Sequence, residues 1–254
     1  MKSIEFIGPS CIGKTTFLNE LVKRRTKNEF ITKSEALRLK KRSYGSKTII
    51  KKLLQRLRII KQENKIKEVT DILKNVSKNT ELLYEAFLIG QVQKKGETWT
   101  KVRMIEYYSS LYLLMHRLDC DKLANQLIVF EEGLIHNGGF HRLENEVHKF
   151  KSIVESSIFP KGVIALIADR DTYIKRIHKR FETKGSRDLN SIKKNMSDKD
   201  ISEYVDTALA SADIKTQACK KLGVEVLEIN AVHTEKNFIK TEKFMRDISN
   251  SFNK

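Results

Sequence analysis

Proline is nearly absent: Pro9 and Pro160 are its two occurrences in 254 residues, so no proline-rich linker divides the chain. Cysteine is almost as scarce. Cys11, Cys120 and Cys219 are too few and too scattered for a disulfide framework or a zinc site, which points to a reducing, cytoplasmic setting. No apolar run approaches the roughly 18 residues a membrane helix needs, so no transmembrane segment is expected. The first residues read as a core strand rather than a signal peptide. Acids are outnumbered, 32 Asp and Glu against 49 Lys and Arg, for a net charge of +17. What remains is a globular composition, 40% apolar and 32% charged. It suffices for one large α/β domain, or for a core with a helical insertion.

The positive charge is concentrated. Between Lys33 and Lys65, twelve basic residues against two acids, Glu35 and Glu63, leave a net +10. Such a segment suits an anionic partner: a phosphorylated substrate, nucleic acid or an acidic membrane surface. A solvated helix face in a lysine-rich chain explains it equally well. Tyr44 is the one aromatic residue in the stretch, so no base-stacking platform is evident.

The most specific signal is Gly8-Pro9-Ser10-Cys11-Ile12-Gly13-Lys14-Thr15, which matches the phosphate-loop pattern G-x-x-x-x-G-K-[ST]. The preceding Ser3 to Ile7 reads as a short buried strand. The following Thr16 to Val22 reads as a helix with Phe17, Leu18, Leu21 and Val22 on one face. In that setting successive N–H groups and the helix N-terminus surround a β-phosphate. Lys14 reaches the β- and γ-phosphates, and the Thr15 hydroxyl ligates magnesium. Residues Gly8 to Thr16 are therefore the candidate nucleotide contacts. Cys11 inside the loop is either redox-sensitive or, more simply, a small residue tolerated at a turn.

Beyond the loop, Glu29 to Thr32 suggests a second, short strand. Residues 33–125 read as helical, with apolar stripes at Ile49 to Ile60, Val69 to Val76, Leu82 to Phe87 and Val102 to Met115. The character then changes. Leu127-Ile128-Val129-Phe130 and Gly162 to Ala168 are continuous apolar runs, as expected of central parallel strands buried on both faces. Helices are expected over 140–156, 172–181, 201–222 and 238–251, a last strand over 224–229, and a polar, irregular stretch over 186–200. Strands alternating with helices behind a phosphate loop imply a doubly wound parallel sheet carrying a long basic helical insertion. Residues 1–32 and 126–254 form the expected core, and 33–125 the expected acceptor-side subdomain.

Glu131 and Glu132 end the apolar run after Phe130. An acid there can hold magnesium opposite Thr15, and its neighbour can activate a nucleophile. Glu131, the first of the pair, is the candidate metal-side acid, and the two roles stay exchangeable. Gly133 lets the chain turn sharply. The segment from Ile167 to Arg180 runs a buried strand into a helix with Arg176 and Arg180 at i, i+4. That spacing puts two guanidinium groups on one face, where they can clamp phosphate. Arg187 lies in the polar stretch beyond.

With these pieces in order the chain resembles the nucleoside/nucleotide-kinase-like group of P-loop phosphotransferases. The resemblance covers roughly residues 1–32 and 126–254. It rests on Gly8 to Thr15, Glu131-Glu132-Gly133, and the Arg176 and Arg180 segment. It implies that Arg176, Arg180 and Arg187 contact phosphate, and that Lys184-Gly185-Ser186 is a lid over ATP. It further implies that Asn230 and Ala231 precede an adenine-contacting loop. Three features depart from the group. Cys11 stands where many members have glycine. The acidic pair is followed by glycine rather than reading Asp-Arg or Glu-Arg-Ser, so no nucleoside specificity transfers. Residues 33–125 match no known acceptor domain.

The leading expectation is a magnesium- and ATP-dependent kinase for a small, anionic acceptor such as a nucleoside, nucleotide or sugar derivative. Lys14, Glu131, Glu132, Arg176, Arg180 and Arg187 would be catalytic, and Thr15 and Glu131 would hold the metal. Glu132, or less readily Glu35, is the candidate base for a hydroxyl acceptor. The alternatives are a polynucleotide or tRNA-end kinase or NTP-dependent nucleic-acid-binding protein, and a regulatory P-loop NTPase. Against the last, no guanine-specifying Asn-Lys-x-Asp occurs.

Overall fold

The computed structural model describes residues 2–26, 29–43, 111, 114–115, 126–138, 152–184, 197–232 and 234–251. The expected stripes between Ile49 and Tyr108, most of the expected helix over 140–156, Gly185, Ser186 and Arg187 lie outside these residues.

Among the described residues five parallel strands make one sheet in the order β2-β3-β1-β4-β5. They are β1 (Lys2–Ile7), β2 (Ile31–Thr32), β3 (Leu127–Phe130), β4 (Gly162–Ile167) and β5 (Glu225–Asn230). The helices are α1 (Lys14–Arg24), α2 (Lys33–Ser43), α3 (Leu134–Gly138), α4 (Arg170–Lys184), α5 (Asp198–Lys221) and α6 (Glu235–Ser251). An α/β sheet of this kind is consistent with the doubly wound class expected from the alternation of elements.

The inner strands are apolar on both faces because both faces are covered. Ile4, Phe6, Val129, Ile164 and Leu166 pack with Phe17 and Leu21 of α1, Tyr173 and Ile177 of α4, and Phe238 and Met245 of α6. The alternating residues Ile7, Ile128, Phe130, Val163 and Ala165 pack on the other side. There they meet Ala36 of α2, Leu134 and Ile135 of α3, Cys219 of α5 and Leu222 just after it. Leu111 and Met115, helical and buried, join this second cluster.

The strand order positions the site. From β1 the chain crosses to the β2 edge, returns to β3, and then builds β4 and β5 on the far side of β1. The direction of winding therefore reverses around β1. In open α/β sheets the crevice beyond the carboxyl ends of strands at such a reversal is where ligands bind. Residues 8–13, with the motif glycines, leave β1 there.

Local signals explain most boundaries. Thr32 and Glu35 cap α2 reciprocally: the Thr32 hydroxyl accepts from the Glu35 N–H at 3.3 Å, and the Glu35 carboxylate accepts from the Thr32 N–H at 2.9 Å. One boundary differs from expectation. The stretch through residue 200 is not wholly irregular, because α5 starts at Asp198 under a capping box made by Ser197 and Asp200. Gly223, at φ 77°, follows that helix in the left-handed conformation that ends it.

Candidate functional site

The glycine loop shows why its residues are what they are. Gly8 has φ 139°, and a Cβ there would stand 2.8 Å from the Leu166 carbonyl oxygen of β4, so only glycine fits. Gly13, at φ 106°, is the N-cap of α1. Cys11, at φ 68°, is the one non-glycine residue in left-handed backbone among the described residues. The position at which many members of the resembled group carry glycine therefore has the conformation glycine favours.

Helix α4 braces this loop from the side. The Tyr173 hydroxyl donates to the Ser10 carbonyl at 2.7 Å. The Arg176 guanidinium donates to the Ile12 carbonyl and, at 2.8 Å, to the Ala231 carbonyl beyond β5. Arg180 hydrogen-bonds the Cys11 side chain and favours its thiolate, although burial outweighs this and pushes the thiol up. Arg176 and Arg180 thus share a face, as their spacing requires, and that face meets the loop backbone and Cys11. In this arrangement Arg176 spends two of its five N–H donors on these carbonyls. Asn230 and Ala231 lie beside the loop, linked by Arg176 and held by Asn237, whose amide donates to the Asn230 carbonyl at 2.9 Å.

Lys14 is 5% exposed. Its ammonium donates to the Gly8 and Pro9 carbonyls at 2.8 and 3.1 Å and lies 3.6 Å from the Glu132 carboxylate. Burial lowers its pKa, and Glu132 and Glu131 oppose that shift. The Thr15 hydroxyl donates to the Glu131 carboxylate, 116 residues away in sequence. The acidic pair is thereby divided: Glu131 goes with Thr15 and Glu132 with Lys14. Two hard oxygen donors at an exposed mouth fit magnesium, which keeps several waters and takes only one or two protein ligands beside substrate phosphates. Among the described residues no group of three or more His, Cys, Asp or Glu side chains could hold a metal by itself.

Two residues outside the sequence expectation complete the arrangement. His136, one turn after Glu132, places Nε2 3.4 Å from its carboxylate. Burial first, then Lys14 and Lys215, holds the imidazole well below its ordinary range, so it is neutral. Glu5 of β1 is 0% exposed. Its carboxylate accepts from the backbone N–H groups of Gly133 at 3.1 Å, Ile135 at 3.0 Å and His136. Burial pushes this carboxyl up to about 7, against those three donors and Lys215. No local pattern marks Glu5: an acid in a five-residue apolar run resembles a solvent-facing strand position. His136 had one faint signal, its i, i+4 spacing from Glu132.

Glu35 is engaged in a structural contact. Its carboxylate takes two N–H donors from Arg25, one at 2.7 Å, besides capping α2. The Arg25 bonds hold it down at about 2. Its oxygens are thus committed to Arg25 and to the start of α2.

A cleft of about 290 Å³ opens between α1, the start of α2 and the end of β3, and Glu131, Glu132, Lys33 and Thr32 line it. Lys33 is half-buried there, its pKa lowered by burial and supported by Glu132 and Glu5. No helix among the described residues is long and apolar enough to cross a membrane. Compared with known proteins, the chain matches no family model and shows no significant similarity to a curated protein sequence.

Proposed function

We propose that the chain is a magnesium- and ATP-dependent phosphotransferase acting on a small, anionic, hydroxyl-bearing acceptor. The observation that carries the reading is the convergence of Lys14 with Glu132 and of Thr15 with Glu131 at the end of β1. These are the pairings that phosphoryl transfer needs, and the motif by itself specifies only Lys14 and Thr15.

Each residue then has a task. The N–H groups of residues 10–15 enclose the β-phosphate, and Lys14 exchanges the Gly8 and Pro9 carbonyls for β- and γ-phosphate oxygens. Thr15 and Glu131 hold magnesium, which supplies charge neutralisation on those phosphates. The acceptor lies in the cleft with its anionic group on Lys33. Glu132, near Lys14 and His136, takes the hydroxyl proton as the acceptor oxygen bonds to the γ-phosphorus. The bond from that phosphorus to the bridging oxygen breaks, and ADP leaves with the electron pair. Arg180 and Arg187 are the candidate lid-side donors to the transferring group, where charge spread is greatest in the transition state.

The test is an acceptor screen with labelled ATP over nucleosides, nucleotides, sugar derivatives and RNA ends, run with Lys14→Ala in parallel. Transfer that needs magnesium and fails in the variant supports the reading. Normal transfer by Lys14→Ala refutes it. The net +10 over Lys33 to Lys65 favours, as second reading, a polynucleotide acceptor. Binding of long RNA that weakens steeply with salt, with a log–log slope near the number of phosphates contacted, selects that reading. No binding at low salt retires it.

A further inference from the structure

We propose that Glu5 is a positioning residue for the acidic pair: its carboxylate anchors the turn after β3 to the centre of the sheet and so holds Glu131 and Glu132 in register with Thr15 and Lys14. The inference rests on the functional reading above for its consequence, and on geometry alone for the anchor itself.

The register of the sheet sets the joint. Glu5 pairs with Phe130, the last residue of β3, so its carboxylate sits beneath the turn that begins at Glu131. From there one oxygen serves the N–H groups of Gly133 and His136, and the other serves Ile135. These are free N–H groups at the start of α3, a helix of five residues too short to hold itself. The cap that such a start usually takes from its own sequence comes instead from a strand 128 residues earlier. Gly133 is part of the same joint. A Cβ there would stand 2.6 Å from the Glu5 oxygen and 2.8 Å from its carboxyl carbon, so the turn approaches this closely only without a side chain.

Lys215 of α5 locks the other end, donating to the His136 carbonyl at 2.6 Å and supplying a positive charge near Glu5. Both ends of the Glu132–His136 pair are therefore fixed by Glu5: Glu132 through its neighbour Gly133, and His136 through its own N–H. A buried carboxylate is costly unless fully hydrogen-bonded. An apolar residue would pack this face as well, but it would leave three N–H groups unserved and the acidic turn untethered.

Glu5→Gln tests this with little change of shape. Its amide oxygen can still serve Gly133 and His136, but its NH2 group then faces the Ile135 N–H, donor against donor. Two readouts are needed. Amide-resolved hydrogen exchange on the folded variant should show Ile135 and its neighbours exchanging at least about tenfold faster than in the parent protein. Magnesium titration of ATP-dependent transfer should show kcat lower by about 10–100-fold, the usual cost of losing an outer-shell partner, with a higher magnesium requirement. The Kd for ATP measured without magnesium should stay within about threefold, because the loop N–H groups and the Lys14 ammonium that hold the phosphates are themselves unchanged. Should Glu5→Gln fail to fold, Gly133→Ala strains the same joint from the other side and carries the same readouts. Unchanged exchange at Ile135, or a folded variant with the parent kcat and magnesium requirement, overturns the proposal. If the parent protein transfers no phosphate, the functional reading falls, and the exchange result still decides whether Glu5 anchors the turn.

Discussion

Replacing Arg176 by alanine separates two roles that the sequence alone could not. From the middle of α4 its half-buried guanidinium donates to the Ile12 carbonyl in the glycine loop and, at 2.8 Å, to the Ala231 carbonyl after β5. Hydrogen bonds from a charged donor contribute about 1.5–3 kcal/mol each. Water takes over part of each bond at a half-buried site, so about 2 kcal/mol for the pair is a fair figure. For a chain of this size that lowers Tm by about 4–8 °C. A loosened loop must also be ordered again when nucleotide binds, and 2 kcal/mol corresponds to roughly 30-fold in Kd. Calorimetric titration with ATP–magnesium should therefore show affinity falling about 10–30-fold, with kcat at saturating ATP reduced less. A pure phosphate clamp predicts the reverse: ATP affinity near normal and turnover down by on the order of a thousandfold. Arg176→Lys, able to reach one carbonyl at most, should fall between. Unchanged Tm and Kd in Arg176→Ala would refute the bracing argument.

Three further outcomes are expected. Glu131→Gln should raise the magnesium concentration for half-maximal transfer, whereas Glu132→Gln should leave it alone and lower kcat by about 10²–10⁴-fold with a hydroxyl acceptor; the opposite assignment in a magnesium titration exchanges their roles. Cys11→Gly should raise Tm by about 2–8 °C, because a left-handed non-glycine residue costs about 1–2 kcal/mol, and a lower Tm would show that the contact with Arg180 outweighs the strain. Arg25 holds Glu35 at about 2 in the fold, below the ordinary 4.5. The stabilisation this gives is complete above about 4.5 and drains as pH falls toward 2, so Tm should drop more steeply between pH 5 and 3 in the parent than in Glu35→Gln.

Patterns within a dozen residues were legible without the structure. The apolar run Leu127 to Phe130 is β3 to the residue, since a strand covered on both faces must be apolar throughout. Gly8 and Gly13 stand where the backbone takes positive φ, and Arg176 and Arg180 share a helix face because 3.6 residues make a turn. Even so, local chemistry can be masked: the Ser197–Asp200 box lies in the sequence, but the polar composition around it hides a helix start.

Tertiary structure decided which acid meets which loop residue. Glu131 and Glu132 are adjacent and chemically alike, and only the parallel pairing of β3 with β1 brings one to Thr15 and the other to Lys14. Sequence marks Glu35 as a helix-start acid or a candidate base, and only the fold adds its contact with Arg25. Glu5 was the least legible, because its partners lie 128 to 131 residues away. Local sequence sets backbone conformation and which face is apolar, since those follow from sterics and periodicity. The partner of a buried charge follows from strand order and register, which are settled only when the whole core closes.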